Sequence, residues 1–132
     1  MNGDRSAKSR KGQTYRHVPA FILLFLARED LYGGAILNKM HKELPGLHPD
    51  GAVVYRSLAD LEEEGAVSSY WETDVPGPAR RWYRIEARGW QKLAEFKADI
   101  EMRMKNFNYF LENYGRLSGP LPDRAPETEG KP

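Results

Sequence analysis

The sequence predicts a mainly α-helical fold that carries one small β-hairpin and ends in a long helix. Three observations carry this. Apolar residues recur at helical spacing in three short segments before residue 65. The period then shortens to two on either side of a Pro- and Gly-rich stretch, ETDVPGPA. Finally, Leu93, Phe96, Ile100, Met104, Phe107, Leu111 and Tyr114 stand 3, 4, 4, 3, 4 and 3 residues apart, close to a coiled-coil seam.

The first helix is expected to begin near Pro19, because proline has no N–H to lose in a first helical turn. Phe21 to Leu26 is apolar on every side, which suits the centre of a core. It should stop around Arg28–Asp30. The second helix is expected over Gly33–Leu44, with Ile36, Leu37 and Met40 on one face and Pro45–Gly46 closing it. Gly33 and Gly34 mark an entry where backbone can approach backbone.

The third helix is read over Ala52–Glu64, with Asp50 as cap and Gly65 just past its C-terminus. Val54, Leu58 and Leu61 share one face. Ala52, Val53, Arg56, Ser57 and Asp60 are expected to point largely elsewhere. That outer face starts small and turns acidic at Glu62, Glu63 and Glu64.

Two strands follow, Ala66–Trp71 and Arg80–Ile85. In the second, Arg81, Tyr83 and Ile85 share one side and Arg80, Trp82 and Arg84 the other. Arg81 sits at the rim of the core side, its stem packed and its charge out. Trp71 and Trp82 are expected to pack against each other across the strands.

The last helix is expected over Ala87–Tyr114, ending at Gly115, and would be about 40 Å long at 1.5 Å per residue. A preceding body of about 70 residues, with a radius of gyration near 11 Å, cannot cover so long a stripe. A second copy is the simplest cover. The dimer seam would comprise Leu93, Phe96, Ile100, Met104, Phe107 and Leu111. Trp90, Phe96, Phe107 and Phe110 are candidates to line a pocket for a planar ligand. The domain reading is a basic disordered arm over 1–17, a compact domain over 18–86, a dimerisation helix over 87–115 and a disordered, Pro-containing tail over 116–132.

Composition narrows the function. The net charge is only +1, but Arg5, Lys8, Arg10, Lys11 and Arg16 stand against a single acid, Asp4, in the arm. Such a segment is attracted to a polyanion. There are no cysteines, so disulfides, thiol nucleophiles and Cys-ligated zinc are excluded. His17, His41 and His48 have no metal-ligand spacing, and no cofactor motif is present. No carboxylate pair, Ser/His constellation or phosphate loop suggests an enzyme. The apolar run PAFILLFLA is shorter than the roughly 20 residues a bilayer needs. The basic residues before it superficially resemble a signal peptide, but REDLYGG offers no small-residue cleavage site. A cytoplasmic protein is the expectation, without membrane association.

Helix, helix, turn, helix and hairpin, in that order, make a winged helix-turn-helix. A helix of about 10–12 Å diameter fits the major groove of B-DNA. The third helix would read bases, and the hairpin tip at Thr73–Ala79 would reach the backbone or minor groove. Arg56 is the candidate base reader. Ser57 could meet a base or phosphate, Tyr55 a phosphate through its hydroxyl, and Arg80, Arg81 and Arg84 the phosphate backbone. The rival reading is a winged-helix module that binds protein without specific DNA, which the acidic end of the third helix would suit.

The stretches LYGGAI at 31–36, LHPDGAVVYRSLADLEEEGAV at 47–67 and GPARRWYRIEARG at 77–89, with the long final helix, resemble the PadR family of bacterial transcriptional regulators. Tyr32 and Gly33 match the family's His/Tyr-Gly pair. Tyr55, Leu58, Leu61, Glu62 and Gly65 match its reading helix, and Arg80, Arg81, Trp82, Tyr83, Ile85 and Gly89 its second wing strand. The single last helix is similar to that of the compact subgroup. The resemblance implies a homodimeric repressor of double-stranded DNA whose last helices form most of the dimer contact. It also implies that a small aromatic or drug-like effector at the dimer interface could release the DNA. Ala52, Val53 and Val54 replace the family's hydroxyl-bearing start, Arg56 replaces a proline, and Glu86 replaces a capping threonine. Contacts should therefore shift onto Arg56, the hairpin arginines and the arm.

Overall fold

The computed structural model describes residues 15–119. Most of the basic arm and of the tail lies outside these residues. The described chain divides into two compact units, with the boundary between Ala98 and Asp99.

In the first unit, α1 (Val18–Leu26) is the hub. Val18, Ile22 and Leu23 have no exposed surface, and Phe25 and Leu26 are buried beside them. A helix that is apolar all round needs neighbours on every side. The core cluster supplies most of them from Leu31, Ile36, Met40, Val54, Leu58, Leu61, Val67 and Tyr83, but Leu24, expected at the centre of a core, is 47% exposed, so one flank of α1 stays open in the single chain. Tyr15 and Phe21 also pack at its edge, and residues 15–17 form a turn in which Val18 N donates to Tyr15 O at 3.0 Å. Residues 15–17, read from the sequence as part of the disordered arm, are thus ordered against the core.

The segment after α1 forms a short strand, β1 (Leu31–Tyr32), and α2 (Gly33–Glu43) starts directly from it. The link from α2 to α3 (Gly51–Glu63) is held by two histidines. His41 Nε2 lies 2.6 Å from Pro49 O and His48 Nε2 lies 2.8 Å from Leu44 O. Both rings serve the backbone of the turn. Asp50 caps α3, its Oδ1 accepting from Val53 N at 3.0 Å, which satisfies one of the helix's free N–H groups. Gly65 follows at φ +78°, a left-handed conformation that suits glycine.

One position on α3 departs from the sequence reading. Val53, expected on the outer face, is only 5% exposed. The helix packs against α1, α2 and the sheet together. Its buried arc is therefore wider than a single i, i+4, i+7 stripe.

β2 (Val67–Glu72) and β3 (Arg80–Ile85) form the hairpin, and β1 pairs with the free edge of β3. The result is a three-stranded antiparallel sheet in the order β1-β3-β2, rather than a hairpin alone. The register pairs Tyr70 with Trp82 and Trp71 with Arg81. Trp71 and Trp82 are thus one residue out of step and on opposite faces, so the expected tryptophan pair does not form. Trp82 instead meets Tyr32 edge-to-face at 5.2 Å, while Trp71 is 59% exposed. The loop between the strands carries Pro76, Gly77 and Pro78, with Gly77 at φ +97°.

α4 (Ala87–Gly115) leaves the sheet through Gly89. A Cβ there would stand 2.3 Å from Ala66 O, the same carbonyl that accepts from Glu86 N. Only glycine allows this approach. Glu86, whose side chain accepts from Ser68 Oγ, ties the strand-to-helix junction to β2. Leu93 and Phe96 are half-buried against the core of the first unit. In the second unit Met104, Phe107, Tyr109, Phe110 and Leu111 are 56 to 70% exposed in the single chain. No helix among the described residues is long and apolar enough to cross a membrane.

Candidate nucleic-acid interface

The exposed side of α3 carries Ala52, Tyr55, Arg56, Ala59, Asp60 and Glu63. At 3.6 residues per turn these make one stripe. It opens with a small residue, bears its tyrosine and arginine in the first two turns, and ends acidic. Arg56 has no hydrogen-bond or ion-pair partner among the described residues. Ser57 is half-buried on the opposite flank from Tyr55.

Tyr55 is half-exposed, and its ring lies over Gly33, the first residue of α2. A groove of about 360 Å³ opens there, lined by Gly33 and Tyr55 on one side and by Trp71, Arg80 and Arg81 of the wing on the other. The turn that brings β1 to the sheet is what sets Gly33 beneath Tyr55. Sequence reading missed this because a two-residue strand has no period to detect.

The three hairpin arginines differ in their surroundings. Arg81 Nη2 donates to Glu62 Oε1 at 3.0 Å and Arg81 Nε to Ser69 Oγ at 3.0 Å. Arg84 Nη2 lies 3.2 Å from Asp30 Oδ2, which also accepts from Tyr70 Oη at 2.7 Å. That hydrogen bond, more than any other influence, raises the Tyr70 hydroxyl above its usual range. Arg80 has no carboxylate partner among the described residues; it lies over the Tyr32 ring at 4.5 Å. Its cross-strand neighbour Glu72 accepts from Trp82 Nε1 at 2.9 Å. Asp30 and Glu62 were not singled out as partners, since 54 and 19 residues separate them from their arginines.

A model of the transcriptional regulator PadR-like family matches residues 22–95, more than half of the chain.

The chain belongs to the PadR-like family.

Solved structures carry the same fold. A transcriptional regulator from Clostridium thermocellum is 27% identical, covering 71% of this chain and 89% of its own, with a TM-score of 0.63. A PadR family regulator from Eggerthella lenta is 22% identical over 84% and 96%, with a TM-score of 0.66. A PadR-like regulator from Bacillus cereus is 24% identical over 75% and 96%, with a TM-score of 0.64. No curated protein matches significantly by sequence. PadR-like regulators are DNA-binding proteins rather than catalysts. In this PadR-like chain no group of three potential metal ligands occurs among the described residues.

The residues expected to bind an effector are spread along α4. Trp90, 53% exposed, and half-buried Phe96 belong to the first unit, with Phe96 edge-on to His17 at 6.1 Å. Phe107 and Phe110 belong to the second unit, where Phe110 stacks on Tyr114 at 6.1 Å. Of the expected dimer seam, Leu93, Phe96 and Ile100 are partly buried and Met104, Phe107 and Leu111 are exposed in the single chain.

Proposed function

We propose that this PadR-like chain is a sequence-specific DNA-binding repressor acting as a cytoplasmic homodimer. The observation that supports it most is the exposed start of α3, where Arg56 stands beside Tyr55 without a partner among the described residues. An arginine projecting from a helix without an internal partner suits bidentate recognition of guanine in the major groove. Tyr55 and Arg80, which both line the groove, would hold phosphates, with Ser57 a further polar contact on the helix flank. The exposed apolar residues of the second unit, Met104, Phe107 and Leu111, would form the contact between copies. Trp90, Phe96, Phe107 and Phe110 are the residues we propose for a small aromatic effector. The test is fluorescence anisotropy with duplexes from the region upstream of the chain's own gene. Saturable, sequence-dependent binding that weakens steeply with salt supports the reading. Equal affinity for every duplex at low salt overturns it.

A protein-interaction module is the second reading, favoured by Asp60, Glu63 and Glu64 at the exposed far end of α3. It predicts no preference for any DNA.

A further inference from the structure

Glu62, Ser69 and Arg81 form a closed triangle joining the last turn of the reading helix to both strands of the wing. Glu62 Oε2 accepts from Ser69 Oγ at 2.7 Å, Glu62 Oε1 from Arg81 Nη2 at 3.0 Å, and Ser69 Oγ from Arg81 Nε at 3.0 Å. Ser69 faces Tyr83 in the strand register, and Arg81 lies two residues nearer the tip on the same face. Among the described residues this triangle fixes the wing to α3 beyond the apolar core.

We propose that Glu62 is a positioning residue: it straps the wing to the reading helix and, by engaging Arg81, withholds that arginine from DNA. Arg80 is then the wing strand's phosphate-contacting cation. This rests on the DNA-binding reading above for its second half only. Three adjacent features support it. Both oxygens of Glu62 are engaged, so the carboxylate has a defined orientation. The charge of Arg81 is offset by the Glu62 carboxylate, and its Nε and Nη2 are already donating within the triangle, so a phosphate would compete with Glu62 for this side chain. Arg80, one residue away on the other face of the strand, is held over an aromatic ring with no carboxylate to displace among the described residues.

The device would serve specificity. A wing locked in place presents Arg80 at a fixed distance from Arg56, whereas a loose wing with two available arginines would hold any duplex. Removing the strap should therefore strengthen binding to random DNA while weakening discrimination.

The test has one arm without DNA and one with it. In the first, hydrogen exchange is measured on the amides of 69–72 and 80–83 in the free protein. Glu62→Ala should speed their exchange several-fold, and Glu62→Gln, which keeps the shape and an acceptor, should restore part of the protection. Unchanged exchange in Glu62→Ala overturns the strap. In the second arm, the dependence of log K on log salt is measured with a random-sequence duplex. Each phosphate contact contributes about 0.9 to that slope. Arg80→Gln should lower the slope by about one contact, Arg81→Met should leave it unchanged, and Glu62→Gln should raise it by about one contact. A slope lowered by Arg81→Met overturns the withholding. Absence of binding to any duplex refutes the DNA-binding reading and the withholding that rests on it, while the exchange arm still decides the strap.

Discussion

The ring of Tyr55 occupies the space a side chain on Gly33 would fill: a β-carbon there would lie 2.2 Å from Tyr55 Cε1. The first residue of α2 and the exposed tyrosine of α3 are thus matched, one by its lack of a side chain and the other by its flat ring. Gly33→Ala should displace the half-exposed Tyr55 ring, at a small cost in stability because the end of a side chain rather than backbone has to move, and weaken DNA binding. Thermal unfolding and anisotropy read the two effects. Because the residues touch, Tyr55→Ala combined with Gly33→Ala should cost less than the sum of the single changes. Additive losses would place the ring elsewhere.

Arg56→Ala should reduce affinity for the specific duplex by about 1–3 kcal/mol, the worth of a bidentate base contact. Binding to random DNA should fall much less. An equal loss on both would make Arg56 a phosphate contact only.

Phe107 is 63% exposed in the single chain. Replacing it by Asp should leave the winged body folded and halve the mass measured by light scattering. A dimer of unchanged mass would move the contact away from this part of α4.

Burial, above all, raises the Tyr83 hydroxyl from its usual value near 10, with Arg81 opposing. The folded chain therefore holds this proton to higher pH than the unfolded chain does. Stability tied to Tyr83 is complete below about pH 10 and falls as pH rises from there toward the folded value. Tyr83→Phe should flatten that alkaline loss in urea unfolding measured between about pH 9 and 11. A slope equal to that of the unsubstituted chain would refute this account.

What could be read from the residues depended on how local the cause was. The limits of α2 and α3 follow from Pro45–Gly46, the Asp50 cap, Gly65 and an apolar period, all within a few positions of the helices they shape. The exposed apolar residues late in α4 were legible for the same reason. β1 was not: Leu31 and Tyr32 become a strand only because β3 offers them an edge. The tryptophan pairing failed on register, which a seven-residue loop does not fix. Val53 was misplaced because the buried arc of a helix depends on how many neighbours it meets. Within the candidate site, Tyr55 and Arg56 could be singled out by residue type. The different states of Arg80, Arg81 and Arg84 could not, since they depend on Asp30 and Glu62, which the fold brings from other elements.

The wing loop bears on how this interface could change. Pro76 and Pro78 flank Gly77, whose left-handed backbone sets the bend. Two fixed φ angles beside that bend leave the tip few shapes to lose on docking. A tip of this kind is a ruler more than a hand. Exchanging Thr73 or Val75 for another residue leaves its reach intact, while adding or deleting one residue moves every atom beyond it. If the tip meets DNA as the winged-helix reading expects, divergence in target among proteins built this way should proceed by substitution at constant loop length.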